Sequence, residues 1–86
     1  MTEKELCEKN QKLSTEFDLY LLEHQELLEK IPENALIVLL PEFDKELKEE
    51  NMEMAKLHRE KGQPVVYVKV QKMRASGLEG LQLEVA

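Results

Sequence analysis

The chain has 86 residues, a formal net charge of −6 at pH 7 and a single cysteine, Cys7. This length allows one domain with one small core, and the negative charge argues against nucleic acid or an anionic membrane surface as the main partner. One cysteine excludes an internal disulfide and fits a reducing compartment, and no stretch approaches the roughly 20 apolar residues of a membrane span, so we expect a cytoplasmic protein.

The first predicted element is a long amphipathic helix. Thr2 and Glu5 have the spacing of a capping box, which predicts a helix start at this point. Side chains at Ser14 and Thr15 are able to bond back to the helix carbonyls, so we expect a bend there or a division into two helices. Apolar residues recur every three or four positions as far as about Lys30, which is the spacing of one helix face. They are Leu6, Leu13, Phe17, Tyr20, Leu21, Leu27 and Leu28.

A β-α-β unit with parallel strands follows a turn at Pro32. Six consecutive apolar residues at 35–40 predict a strand buried on both faces, and residues 64–68 predict the second strand. The segment between them has room for one helix, with Asp44 as a favourable N-cap and an end near Lys61. Parallel strands need such a crossover, so the pattern predicts the β-α-β unit directly.

The C-terminal segment has two interpretations. Residues 74–80 resemble a loop, and residues 81–85 alternate between apolar and polar like a short strand. The segment is either a frayed terminus or a third strand that pairs with the second strand or with a partner. The sequence therefore predicts a small α/β domain of α-β-α-β order at residues 1–73, with a flexible or strand-forming tail at residues 74–86.

Several short motifs together resemble a small prokaryotic family of uncharacterised proteins, a domain of unknown function. Its members pair a Phe/Tyr-rich first helix with an I-V-x-L-P strand and a V-V-Y-V strand. The resemblance covers about residues 4–72 and implies a soluble, self-contained intracellular domain, but it implies no activity, substrate or catalytic residue. The matching motifs are Glu-Lys-Ile-Pro-Glu-Asn-Ala at 29–35, Ile-Val at 37–38, Leu-Pro-Glu at 40–42, Asn51 and Gly-Gln-Pro-Val-Val-Tyr-Val at 62–68.

Candidate ligand groups lie in the loop after the first strand, where a parallel unit usually offers a ligand site. Glu42, Asp44 and Glu46 would repel phosphate and suit Mg²⁺ or an amine, although Asp44 and Glu46 also suit a helix cap and its dipole. His24 and His58 are candidate bases or ligands, although a histidine in such a position is more often half-buried and bonded to a backbone carbonyl. The HxxxH and HExxH spacings are absent, so we predict neither a metal site nor a cofactor.

No motif names a reaction, so two classes of function stay open. The first is a small cytoplasmic oligomeric interaction or binding module, and the alternative is a small enzyme or metal-binding protein that uses Glu42, Asp44 and a histidine. We favour the first, because two strands leave unpaired edges and the first helix is longer than a two-stranded sheet requires. The expected assembly is a homodimer that packs through Leu6, Leu13 and Phe17, with extension of the sheet as the alternative. The sequence does not identify any other protein partner.

Overall fold

In the computed structural model, which describes residues 1–86, the sheet has three strands, and β2 (Val65–Arg74) lies between β1 (Leu36–Pro41) and β3 (Gly77–Val85). Strand β2 runs parallel to β1 and antiparallel to β3. The predicted α-β-α-β order and parallel β-α-β unit are confirmed, and the C-terminal segment forms a third strand. In chain order the elements are α1 (Glu3–Glu23), a 3-10 helix (Gln25–Lys30), β1 (Leu36–Pro41), α2 (Lys45–His58), β2 (Val65–Arg74) and β3 (Gly77–Val85).

Both α-helices begin at the side-chain caps that the sequence predicts. The Thr2 hydroxyl accepts a hydrogen bond from the Glu5 N–H at 3.1 Å. The Asp44 carboxylate accepts one from the Leu47 N–H, also at 3.1 Å. Each cap satisfies one of the N–H groups that the first turn of a helix leaves without a partner. Short-range hydrogen bonds therefore determine where both helices start.

The helix ends differ from the prediction. Helix α1 continues through Thr15 without a break. The Thr15 hydroxyl donates to the Gln11 carbonyl at 2.9 Å, so the expected back-bond forms but does not divide the helix. The break comes instead at His24, and the chain then continues as the 3-10 helix. Helix α2 ends at His58 rather than near Lys61.

Helix α1 covers one face of the sheet, and the main core lies between them. Leu13 and Phe17 are the inward residues of α1 and are only 1% and 4% exposed. Burying a side chain of this size stabilises the fold by roughly 1.5–3 kcal/mol. The third strand widens the sheet, so the apolar stripe of α1 finds its cover within the chain. The core contains Leu13, Phe17, Leu39, Leu47, Val66, Val68, Val70 and Leu78.

Helix α2 packs on β1 from the other face of the sheet. Ala55 forms a second, smaller core with Val38, Leu40 and Val65. Val38 and Leu40 alternate with the residues that face α1, as successive side chains of a strand must. The sheet is therefore covered by α1 across its width on one face, and by α2 near β1 on the other.

The β2–β3 hairpin changes the phase of its alternation once. Inward residues lie two apart along each strand, except between Val70 and Met73 on β2 and between Leu78 and Leu81 on β3. Gly80 lies at this point with a φ of +66°, and a Cβ atom added there would lie 2.6 Å from a Cβ atom of β2. Glycine allows both the left-handed backbone and the close approach. From Leu81 onwards the strand alternates regularly.

A buried amide pair joins the two helices at the outer edge of β1. Asn10 and Asn51 exchange two side-chain hydrogen bonds of 2.9 Å. Asn51 Nδ2 also donates to the Leu39 carbonyl at 2.9 Å. Asn51 is only 9% exposed, and no buried side-chain nitrogen or oxygen in the chain lacks a partner. The amides therefore fix both helices against the same point of the strand.

We expect Asn51→Ala to lower the free energy of unfolding by about 1–3 kcal/mol, because the Leu39 carbonyl and the Asn10 amide both lose their partner. Urea unfolding followed by circular dichroism measures this loss. The double variant Asn10→Ala/Asn51→Ala should cost less than the sum of the single variants, because each removes the same amide pair. Strictly additive losses would contradict the coupling.

Candidate functional site

The predicted acidic loop lies where the sequence places it, between the end of β1 and the first turn of α2. Every carboxylate of this loop has a cationic partner within ion-pair distance. The ion pairs are Glu42 with Lys48 at 3.0 Å, Asp44 with Lys9 at 3.0 Å, and Glu46 with the amino group of Met1 at 2.7 Å.

Asp44 is held in its charged form by two donors. The hydrogen bond from the Leu47 N–H, followed by the bond from the Lys9 ammonium, keeps the pKa of Asp44 below its usual value. The same contact with Asp44 raises the pKa of Lys9. A carboxylate with a lowered pKa releases its proton readily and is a poor general acid at neutral pH. The interpretation of Asp44 as a helix cap is confirmed.

The two candidate histidines lie apart from the acidic loop and from each other. The His24 ring stacks on Tyr20 with centroids 4.2 Å apart, and its Nδ1 atom lies 3.3 Å from the carboxylate two residues further on. His58 is exposed at the end of α2, and it lines a different cavity from His24, Glu42 or Asp44. No group of three or more His, Cys, Asp or Glu side chains is arranged to hold a metal ion.

The α1 stripe that the sequence assigns to a dimer interface lies inside the chain. Leu13 and Phe17 are buried against the chain's own sheet, and Leu6 packs at the border of the same core. They are not free to contact a second copy, so this assignment is corrected. The reason is β3, because a two-stranded sheet would leave part of α1 uncovered, whereas the third strand widens the sheet. The homodimer itself stays a prediction.

The outer edge of β1 lies in a groove between the two α-helices. The groove contains a cavity of about 240 Å³, which is smaller than the usual site for a drug-sized ligand. The amide pair lies beside it and brings the helices together at one point. The cavity is lined by Asn10 and Ser14 of α1, residues 36–39 of β1, and Asn51, Met54, Ala55 and His58 of α2.

Main-chain groups of β1 face this groove. Leu36 N–H donates to the Pro64 carbonyl, and the N–H after Pro41 donates to β2 in the same way, so even-numbered residues of β1 bond to β2. In a parallel pair both main-chain groups of the alternate residues point away from the partner strand. The N–H and C=O of Ile37 and the N–H of Leu39 therefore face the groove.

The second open edge belongs to β3. The Ala86 N–H donates to the Val65 carbonyl, and the register that continues from this pair turns every second residue of β3 towards β2. Leu81, Leu83 and Val85 consequently direct their N–H and C=O groups outwards. Strand β3 pairs only with β2, and the Val85 side chain is 52% exposed.

The acidic side chains of β3 are compensated by β2. Glu79 lies 2.9 Å from the Arg74 guanidinium, and Glu84 lies 3.8 Å from the Lys69 ammonium. These contacts are exposed and contribute little stability, at most about 1 kcal/mol each. They leave the open edge of β3 with no net charge, although the chain as a whole carries −6.

No residue of either edge is among the site residues that the sequence predicts. The alternation of Leu81, Leu83 and Val85 signals a strand, but only the structure shows that nothing lies beyond it. For β1 the available signal is Pro41, because a proline inside a strand is compatible with an edge position and not with a central one.

A family model described as a family of unknown function, DUF5647, matches residues 5–81. The match covers most of the chain, so the protein belongs to this family, and the resemblance to a family of uncharacterised proteins is confirmed. No curated protein and no solved structure matches the chain. None of its helices is both long enough and apolar enough to cross a membrane.

We expect Asp44→Ala to lower the free energy of unfolding by about 1 kcal/mol at pH 7, because the first turn of α2 loses its cap. Asp44→Asn is the matched control, since it keeps an acceptor for the Leu47 N–H but removes the charge. Urea unfolding of the three proteins separates the hydrogen bond of the cap from the charge.

The contribution of the Asp44 charge should depend on pH. Its pKa in the folded protein lies below the ordinary value of 3.8, so the stabilisation is present above that value and is lost as the pH falls through the folded pKa. The stability difference between the wild type and Asp44→Asn should therefore shrink below about pH 4. A difference that stays constant down to about pH 2 would contradict this assignment.

Proposed function

We propose that the protein is a small oligomeric interaction module that forms a homodimer by antiparallel pairing of β3 with β3 of a second copy. The observation that supports this is the open edge at Leu81, Leu83 and Val85, whose outward main-chain groups have no partner in the chain. Proteins usually cover, charge or share such an edge. This edge is uncovered and carries no net charge, so sharing is the remaining solution.

We propose a register in which Leu83 lies opposite Leu83 of the second copy, with the two-fold axis between them. It places Leu81 opposite Val85 of the second copy, which gives three pairs of outward-facing residues. Each pair exchanges two hydrogen bonds, so the interface gains about six. Glu84 then lies opposite Gln82 of the second copy, and no carboxylate faces another. The result is a continuous six-stranded sheet with β1 at each end.

The strength of this pairing follows from the number of bonds. A main-chain hydrogen bond contributes a net 0.5–1.5 kcal/mol, so six contribute about 3–9 kcal/mol before the cost of association. A micromolar dissociation constant corresponds to about 8 kcal/mol. The hydrogen bonds alone provide only a marginal free energy of association. Contacts of the half-exposed apolar side chains of Leu81, Leu83 and Val85 provide the remainder. We therefore expect a micromolar dimer.

We place this activity in the cytoplasm. Cys7 is exposed and forms no disulfide, which is typical of a reducing compartment. The net charge of −6 favours a protein partner over nucleic acid or an anionic membrane.

The enzyme alternative has less support from the geometry. Glu42 and Asp44 are engaged in ion pairs, and each histidine lines a cavity that contains neither of them. A site of this kind would need the acids and a histidine to converge on one pocket.

Sedimentation equilibrium at about 100 μM, well above the expected micromolar dissociation constant, should give close to twice the chain mass for the wild type. Leu83→Pro should give the chain mass, because proline removes an N–H that faces the second copy and its ring blocks close approach. The Leu83 N–H does not bond to β2, so the β2–β3 ladder stays intact. Circular dichroism verifies that the variant is folded.

Leu83→Ala is the matched control, because it removes side-chain volume but keeps the N–H. This variant should still dimerise, with a weaker association constant. A monomeric wild type would overturn the proposed function. A dimer that persists in folded Leu83→Pro would show that the copies associate through another surface.

A further inference from the structure

The groove beside β1 offers a short row of unpaired main-chain groups. These are the N–H and C=O of Ile37 and the N–H of Leu39, while the Leu39 carbonyl already accepts from Asn51. Pro41 has no N–H, so the row ends there. Two or three residues of an extended chain would satisfy these groups by adding a strand to the sheet edge.

The floor of the groove is apolar, and so is part of its α2 wall. Leu36 and Ile37 are half-buried at its floor, and Met54 and Ala55 line the α2 side. Leu57 lies one helical turn from Met54 and is 78% exposed, more than any other large apolar side chain of the chain. Methionine adapts its shape to different apolar partners, so this wall suits side chains of varied size.

Two acidic side chains lie one helical turn from residues that line the groove. Asp18 lies one helical turn after Ser14 on α1, and Glu50 lies one turn before Met54 on α2. Both carboxylates are exposed, and neither takes part in any of the chain's ion pairs. A second copy would bring four such carboxylates together, which opposes pairing of β1 with itself. A segment with lysine or arginine beside its apolar residues complements the charge of these side chains.

We propose that the groove between α1 and α2 binds an extended apolar peptide segment with flanking basic residues, which adds as a short strand to the open edge of β1 at Ile37. The main-chain bonds supply affinity that is independent of sequence, the Met54 wall takes apolar side chains, and Asp18 and Glu50 select for basic flanks. This site is separate from β3, so it does not depend on the proposed dimer.

The test uses two synthetic peptides with blocked ends, Lys-Val-Ile-Val-Lys and Glu-Val-Ile-Val-Glu. They share an apolar centre and differ only in the charge of their flanks. Titration into ¹⁵N-labelled protein should shift the amide signals of Ile37 and Leu39, and hydrogen exchange at both amides should slow. We expect the basic peptide to bind at least ten times more tightly than the acidic one at low salt.

Ile37→Pro is the blocking variant, because it removes the central N–H of the groove without touching a bond to β2. It should abolish binding of the basic peptide, whereas the matched control Ile37→Val should retain it. The pair Asp18→Lys and Glu50→Lys, combined in one protein, should reverse the preference between the two peptides. Leu83→Pro should bind the basic peptide as the wild type does.

Two results would overturn the proposal. The first is the absence of binding by the basic peptide, or equal binding of both peptides. The second is binding that survives in folded Ile37→Pro and is lost in Leu83→Pro, which would assign the peptide to the edge of β3. A monomeric wild type that binds the basic peptide at Ile37 would support this inference while refuting the proposed dimer.

Discussion

The hydrogen bonds of Asn51 are the constraint on which the arrangement of the layers depends. Through them α2 is bonded to α1 and to the backbone of β1 at one point, although Asn10 and Asn51 are 41 residues apart in sequence. Apolar contacts between helices and a sheet allow small shifts, whereas two amides meet in both directions only in one geometry. A slip of either helix would leave buried polar groups without partners, at about 1–3 kcal/mol each.

The hydrogen bonds of Asn51 also make the edge of the sheet at β1 different from the edge at β3. At β1 the amide pair closes the edge at Leu39 and leaves it open at Ile37, between the two helices. At β3 no further strand pairs with the edge, and its two carboxylates are compensated by β2. An enclosed edge selects its occupant by shape and charge, while a bare neutral edge suits a copy of itself. The asymmetry of the edges is the basis for assigning them different partners.

Features that depend on neighbouring residues predicted the secondary-structure elements well. Contacts between residues far apart in the sequence were not predictable. The apolar run of β1 and the caps at Thr2 and Asp44 each depend on neighbouring residues, and each is confirmed. The end of α1 at His24 was not predicted, because the apolar spacing continues through the 3-10 helix and masks the change. A glycine with positive φ marks the phase shift of the hairpin, but Gly80 alone does not reveal which residue lies opposite.

The candidate site shows the same division. The sequence located the acidic loop correctly, but the pairing of Asp44 with Lys9 joins residues 35 positions apart and depends on how α1 crosses the sheet. Asn10 and Asn51 lie on different helices, and nothing in their local sequence indicates that these two side chains meet. The sequence therefore indicates a candidate ligand site in this loop, because it does not show which cationic groups pair with the loop carboxylates.

The third strand does not remove the open edge of the sheet but moves it from β2 to β3. An open sheet has two edges whatever its strand number, so pairing β3 with β2 protects β2 and exposes β3 instead. It also widens the sheet enough to bury Leu13 and Phe17, which removes the helix stripe as a reason for association. The open edge therefore still favours a partner, as it would in a two-stranded unit. The surface that would contact this partner is Leu81–Val85 and not α1. This edge has no paired strand beyond it, carries no net charge and is apolar on one side, so a second copy would be a suitable partner for it.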